Sequence, residues 1–179
     1  MNQQNETTTG AVPNELVITR TFNAPLNLVW QAFTEAERLL HWWGPKGVTM
    51  KVANLDLRPG GRLHYCYVMP NGSEMWGLFT YHEITPPERL VYTSSFSDAE
   101  GNLVRAPFSA DWPLEIMNIV TFTEHEGKTT LTMRGLPYKA TATEHTLFAG
   151  ARTSVQQGLK GTFDQLEAYL AGVSESVSQ

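Results

Sequence analysis

Two tyrosines two apart, Tyr65 and Tyr67, and an arginine on the edge of a long apolar stripe, Arg152, are the residues here best suited to chemistry. Alternation puts Leu63, Tyr65, Tyr67 and Met69 on one side of a strand and His64, Cys66 and Val68 on the other. Two phenol hydroxyls and a thioether in an aromatic wall can orient a small apolar ligand through one or two polar contacts. The plain alternative is core packing, with the hydroxyls reaching backbone or water. Beside Ala151, the Arg152 guanidinium can take a carboxylate or phenolate through a two-pronged contact, or it can simply pair with an acid or snorkel to water. Glu115, His64 and His82 are the remaining titratable groups near inward positions, and each reads as structural or solvent-facing.

Other chemistries lack their supports. The five histidines, at 41, 64, 82, 125 and 145, form no metal-binding spacing, so no metal is expected. Cys66 is the only cysteine, which excludes an internal disulfide and paired thiolates, and it reads as a small buried hydrophobe. The glycine-rich and serine motifs of nucleotide-hydrolysing, dinucleotide-binding and serine-hydrolase proteins are absent, and no cofactor is expected.

The elements that must hold these residues follow from periodicity and punctuation. Residues 16–22 alternate as a half-buried strand, and Pro25 opens a short helix carrying Val29, Trp30 and Phe33. Thr34 and Glu37 are spaced as a capping box for a second helix to about Trp42, ended by Gly44-Pro45. Strand signals fill Val48 to Met133, broken at Pro59-Gly60-Gly61, Asn71-Gly72, Pro86-Pro87 and Glu126-Gly127. Asn71-Gly72 is expected as a tight primed turn, and connections this short make the strands antiparallel. A second capping box, Thr141 with Glu144, starts a helix to about Leu170, whose stripe runs through Phe148, Ala151, Val155, Leu159, Phe163, Leu166 and Leu170. Such a helix must lie on the inner face of the sheet. Gly150, Gly158 and Gly161 inside it point to close backbone approach or to space left for a cavity.

Composition sets the class. With 41% hydrophobic and 17% charged residues in 179, the chain can build one core, and one α+β domain over residues 15–172 is expected, with tails at 1–14 and 173–179. A net charge of -5 with scattered lysines and arginines excludes a nucleic-acid binder. No apolar run is long enough to cross a membrane and the start is unlike a signal peptide, so a cytoplasmic protein is expected.

Several local strings occur together and in order: Phe22-Asn23-Ala24-Pro25 with Val29-Trp30, Trp42-Trp43-Gly44-Pro45, Pro59-Gly60-Gly61-Arg62, residues 84–90, and 166–170. On these the chain resembles the activator-of-heat-shock-ATPase-homologue branch of the START-like (SRPBCC) superfamily. The resemblance implies the helix-grip fold, a curled antiparallel sheet of about seven strands around the C-terminal helix, with two short helices after the first strand. It departs at Gly158-Leu159, where relatives commonly carry Gly-Trp, and the smaller residue would enlarge the interior.

The resemblance implies a cavity rather than one chemistry, and binding of a small hydrophobic or amphipathic ligand between sheet and helix is the expected function. Its candidate lining is Tyr65, Tyr67, Met69 and Trp76 from the strands, Phe148, Arg152, Val155 and Leu159 from the helix, and Trp43, Phe108 and Trp112 from connections. Trp43 with Trp42 either lines the mouth or anchors a loop, while Phe108 and Trp112 belong to a lid-like segment that also carries Arg105 and Asp111. Residues 75–82 are apolar on both faces, so the inward side of that strand stays open. The alternative is a cofactor-independent cyclase or dehydratase using Tyr65, Tyr67 and Arg152. Chaperone-ATPase stimulation ranks last, because only a short polar tail stands where the eukaryotic activator has a further domain. A homodimer is compatible with all three.

Overall fold

Residues 16–22 become β1 (Leu16–Phe22), buried at Leu16 and Phe22, half-buried at Ile18 and Arg20 and exposed at the residues between, as its alternation predicts. The computed structural model describes residues 14–177. The expected tail at residues 1–14 therefore lies outside the described residues except for Asn14. Helices α1 (Leu26–Thr34) and α2 (Ala36–Leu39) follow, with Pro25 as the N-cap of α1. The Thr34–Glu37 capping box does not form. Thr34 closes α1 instead, its hydroxyl donating to the Trp30 carbonyl at 2.7 Å, and Glu35 takes the cap position of a single-turn helix.

The strand region yields β2 (Thr49–Leu55), β3 (Arg62–Val68), β4 (Glu74–Thr85), β5 (Arg89–Ser97), the two-residue β6 (Leu103–Val104), β7 (Glu115–His125) and β8 (Lys128–Tyr138). Six of these strands together with β1 form one antiparallel path in the order β1-β8-β7-β5-β4-β3-β2, and β6 pairs only with β5. Register slips between Met50 and Val52 and between Tyr81 and Glu83 are bulges, which bend strands and help curl the sheet. Every expected break is a turn, but the primed one is elsewhere. Glu126 and Gly127 both have positive φ between His125 and Lys128, as a two-residue primed hairpin requires. At Asn71-Gly72 only Gly72 does: Gly72 N–H donates to the Met69 carbonyl at 2.9 Å and Met69 N–H to Ser73 at 2.8 Å. Pro70 explains the difference, since its ring holds φ negative and starts an ordinary turn that a left-handed glycine then closes.

Helix α3 (Ala142–Val177) lies across the concave face. Its capping box forms: Thr141 N–H donates to Glu144 Oε2 at 2.7 Å, and Glu144 N–H to Thr141 Oγ1 at 3.2 Å. It continues past the expected end at Leu170, so residues 173–177 are helix rather than tail. Close backbone approach does not explain Gly150 or Gly158, where a Cβ would meet nothing within 4 Å, and at Gly161 a Cβ would make only ordinary contact with the Lys46 side chain from 3.6 Å. Arg20 on β1 fastens the helix, reaching Asp164 at 2.6 Å and Glu167 at 2.9 Å.

The apolar stripe of α3 is buried at its ends and half-open in its middle. Phe163, Leu166 and Leu170 join the main core with Phe22, Phe33 and Trp42, and Phe148 joins a second cluster with Leu16, Ala106 and Trp112. Ala151, Val155 and Leu159 between them are only half-buried.

Candidate functional site

The half-open stretch of α3 borders a space that three lining residues organise. Tyr65, Val155 and Leu159 bound an inner pocket of about 160 Å³ and two adjoining outer ones of about 280 and 270 Å³. The inner pocket is floored by alternate residues of the central strands: Phe79 from β4, Tyr92 and Ser94 from β5, Ile116 and Asn118 from β7, and Met133 from β8. Leu16 and Phe148 close one end, and Trp43 stands at the other.

The β3 alternation is sound. Leu63 and Tyr65 are buried, and the Tyr65 ring lies flat over Gly77, where a Cβ would come within 2.3 Å of Tyr65 Cζ. That contact also assigns the faces of β4: Gly77, Phe79 and Tyr81 point inward, and Trp76 and Leu78 outward. Trp76 stacks on His64 at 4.8 Å between ring centres on the convex face, so it meets only the rim of one outer pocket. His64 in turn hydrogen-bonds the Asp98 carbonyl at 3.1 Å.

The Trp42-Trp43 pair divides its work. Trp42 is a buried anchor whose indole N–H donates to the Ala32 carbonyl at 3.0 Å, while Trp43 packs edge-on against Tyr65 and Phe79 and lines the pocket. The following Gly44 carbonyl accepts from Gln165 at 2.7 Å and Thr162 at 3.0 Å, which seats this loop on α3. Opposite, Trp112 packs on Phe148 at 5.7 Å and lines one outer pocket. Arg105 holds Trp112 there, donating to its carbonyl at 3.2 Å and pairing with the Glu144 carboxylate.

Three expected lining residues thus need correction, and a fourth, Trp76, lines one outer pocket only, from the opposite face of β4. Met69 falls after the end of β3, within the turn, and touches none of the three pockets. Phe108 is 64% exposed, edge-on to Phe96 and Trp112, and stands outside them as well. Arg152, half-buried one residue past Ala151, is turned away from them by the helical step of about 100° per residue. Trp76 belongs to the other face. Among the described residues, none lining the three pockets is an acid, histidine, lysine or arginine.

The polar groups that do line the pockets are neutral. Burial pushes the Tyr65 and Tyr92 hydroxyls well above the ordinary phenol range, and Tyr67 upward too, so all three stay protonated as hydrogen-bond donors. Ser94 and Asn118 are the residues that sequence reading missed. A polar residue between Ile116 and Val120 in a period-two series, diagonal to Ser94, which itself stands opposite Ile116 in β5, is the signal that could have found them.

A family model for Activator of Hsp90 ATPase homolog 1-like proteins matches residues 23–171. The chain belongs to this family. As expected of a homolog-1-like domain, the architecture recurs in solved structures. Protein Ms6760 from Mycobacterium smegmatis is 28% identical, covering 89% of this chain and 92% of its own, with a TM-score of 0.71. Protein NE0264 from Nitrosomonas europaea, 23% identical, covers 92% and 99% with a TM-score of 0.73 and shares the fold. A Staphylococcus aureus protein described as of unknown function, SA2116, is 17% identical over 90% and 95%, TM-score 0.66. No curated protein is significantly similar to the chain. Among the described residues no helix is long and apolar enough to cross a membrane.

Proposed function

We propose that this homolog-1-like domain binds a small, predominantly apolar ligand in the chamber between the sheet and α3. The observation that carries this reading is the stripe of α3. The same helix is fully buried at Phe148 and again at Phe163, Leu166 and Leu170, yet at Val155 and Leu159 it stands over space walled by Tyr65, Phe79 and Tyr92. Protein interiors pack to the density of organic crystals, so a half-open pocket of about 160 Å³ walled by apolar side chains leaves them without contacts that a guest would supply. The cyclase or dehydratase alternative needs an acid and a base within hydrogen-bond reach of one another. The neutral lining of the chamber favours binding over that chemistry.

The test is an NMR titration of the labelled protein with toluene. Saturable shifts concentrated at Tyr65, Asn118, Val155 and Leu159 are expected. The reading fails if no saturable shift occurs up to the solubility of toluene, or if the shifts centre on His64 and Trp76 on the convex face.

A further inference from the structure

The floor of the chamber carries one polar pair that the fold itself leaves unfinished. Asn118 is only 5% exposed. Its amide nitrogen donates to Ser94 Oγ at 2.9 Å and to the Ile116 carbonyl at 3.0 Å. A carbonyl can only accept, so the contact with Ile116 fixes which end of the amide is nitrogen. Both protons are then engaged. The carbonyl oxygen faces the opposite way, towards the bare backbone of Gly135 on β8 and the side chain of Leu16, where a Cβ on Gly135 would stand 3.6 Å from it. Leu16 and Asn118 line the same pocket, and among the described residues no donor reaches this oxygen. Ser94 completes the pair: its oxygen accepts from Asn118, which leaves its own proton free to donate.

An open acceptor on the β8 side of the Asn118 amide and an open donor on its β5 side therefore flank the floor of the inner pocket, under an apolar roof. We infer that the chamber selects a neutral ring compound carrying one group that both donates and accepts a hydrogen bond, an amide or a hydroxyl, seated on Asn118 and Ser94. The inference rests on the chamber being a ligand site. Three features fix the class. Size allows one six-membered ring in the inner pocket, since an apolar cavity of about 150 Å³ accepts benzene, while the outer pockets leave room for a substituent. Charge is disfavoured because no cation lines the chamber to offset the desolvation of a carboxylate, and the tyrosines offer neutral donors only. A plain hydrocarbon would leave the Asn118 oxygen dry and unpaired, which penalises it against a guest that fills that position.

The test compares four probes of one shape, toluene, acetophenone, benzamide and benzoate, by calorimetry on the full chain, on Asn118→Leu and on Ser94→Ala. Taking benzamide relative to toluene across proteins cancels the hydration of the free probes. Asn118→Leu is expected to cut that ratio about tenfold, the scale of one lost hydrogen bond to a buried group. Ser94→Ala is expected to weaken acetophenone and benzamide severalfold and leave toluene within about twofold. Benzoate is expected to bind wild type at least tenfold more weakly than benzamide. Parallel changes for toluene and benzamide in both variants, or equal affinity for benzoate and benzamide, overturn the inference while binding in the chamber stands. A wild-type protein that takes none of the four overturns the binding function itself. Should Asn118→Leu fail to fold, Ser94→Ala and the wild-type order of benzamide over benzoate still decide.

Discussion

Replacing Leu159 by tryptophan separates a chamber from a packed core, because the two give opposite signs. In a filled core the larger ring forces neighbours off their rotamers and costs about 1–3 kcal/mol. Leu159 instead borders the inner pocket of about 160 Å³ and both outer ones. At about 24 cal/mol per Å³ for an enclosed void, filling a third of the inner pocket, which is half-open to solvent, returns at most about 1 kcal/mol. For a domain of this size that raises Tm by at most about 2–4 °C, whereas overpacking lowers it by at least as much. Melting followed by far-UV circular dichroism avoids the optical signal of the added indole, and calorimetry with toluene reads the chamber directly. The expected outcome is Leu159→Trp with unchanged or raised Tm and at least tenfold weaker toluene binding. A Tm lowered by more than about 4 °C, with toluene affinity intact, would refute the reasoning and make Leu159 an ordinary core residue.

Two glycines supply a matched contrast by urea denaturation. Gly77→Ala puts a methyl 2.3 Å from the Tyr65 ring and should cost about 1–3 kcal/mol, while Gly158→Ala meets nothing within 4 Å and should stabilise α3 by up to about 1 kcal/mol. Equal effects would mean that Tyr65 is not held against β4. Glu144 gives a pH test: the Thr141 N–H, and then Arg105, hold its carboxyl below the usual range. A depressed folded-state pKa contributes stability that is fully present above the unfolded value of about 4.3 and is lost as pH falls through the lower folded value. Between about pH 5 and 2 the wild type should therefore lose Tm more steeply than Glu144→Gln, and parallel slopes would remove the carboxylate from the account.

Local chemistry was the part of this protein legible in advance. The alternation of β1, the turn positions and the Thr141–Glu144 cap each depend on a few adjacent residues, and each forms where the sequence puts it. Thr34 misled because its hydroxyl had a partner one turn back within α1, which no spacing rule excludes. The faces of β4 were unreadable for a physical reason: the convex side is also partly dry. Arg62 donates to the Gly101 carbonyl at 2.5 Å and His64 bonds the Asp98 carbonyl, so the β5–β6 loop lies on the convex face, where Leu78 is also buried, and alternation between wet and dry sides is lost. In the site, Tyr65, Tyr67, Trp43, Val155 and Leu159 were found because aromatic and helical periodicities point to them. Asn118 and Ser94 were not, because a polar residue in an alternating strand reads as solvent-facing until its neighbours' burial is known.

The sheet order has a consequence for how this chain reaches its fold. β1 and β2 are neighbours in sequence but occupy opposite edges, and β1 pairs with β8, Leu16 opposite Gly135. Closing so long a loop is entropically mild, since each doubling adds only about 0.6 kcal/mol, but it is slow compared with zipping the β3–β4–β5 and β7–β8 hairpins. On a ribosome β1 therefore waits without its partner until nearly the whole described sheet has been made. It docks as one of the last seams of the sheet, bringing Leu16 to the end of the chamber and Arg20 to the carboxylates of α3 together. Until that seam closes the chamber lacks the Leu16 part of its end wall, and its apolar floor is open on that side.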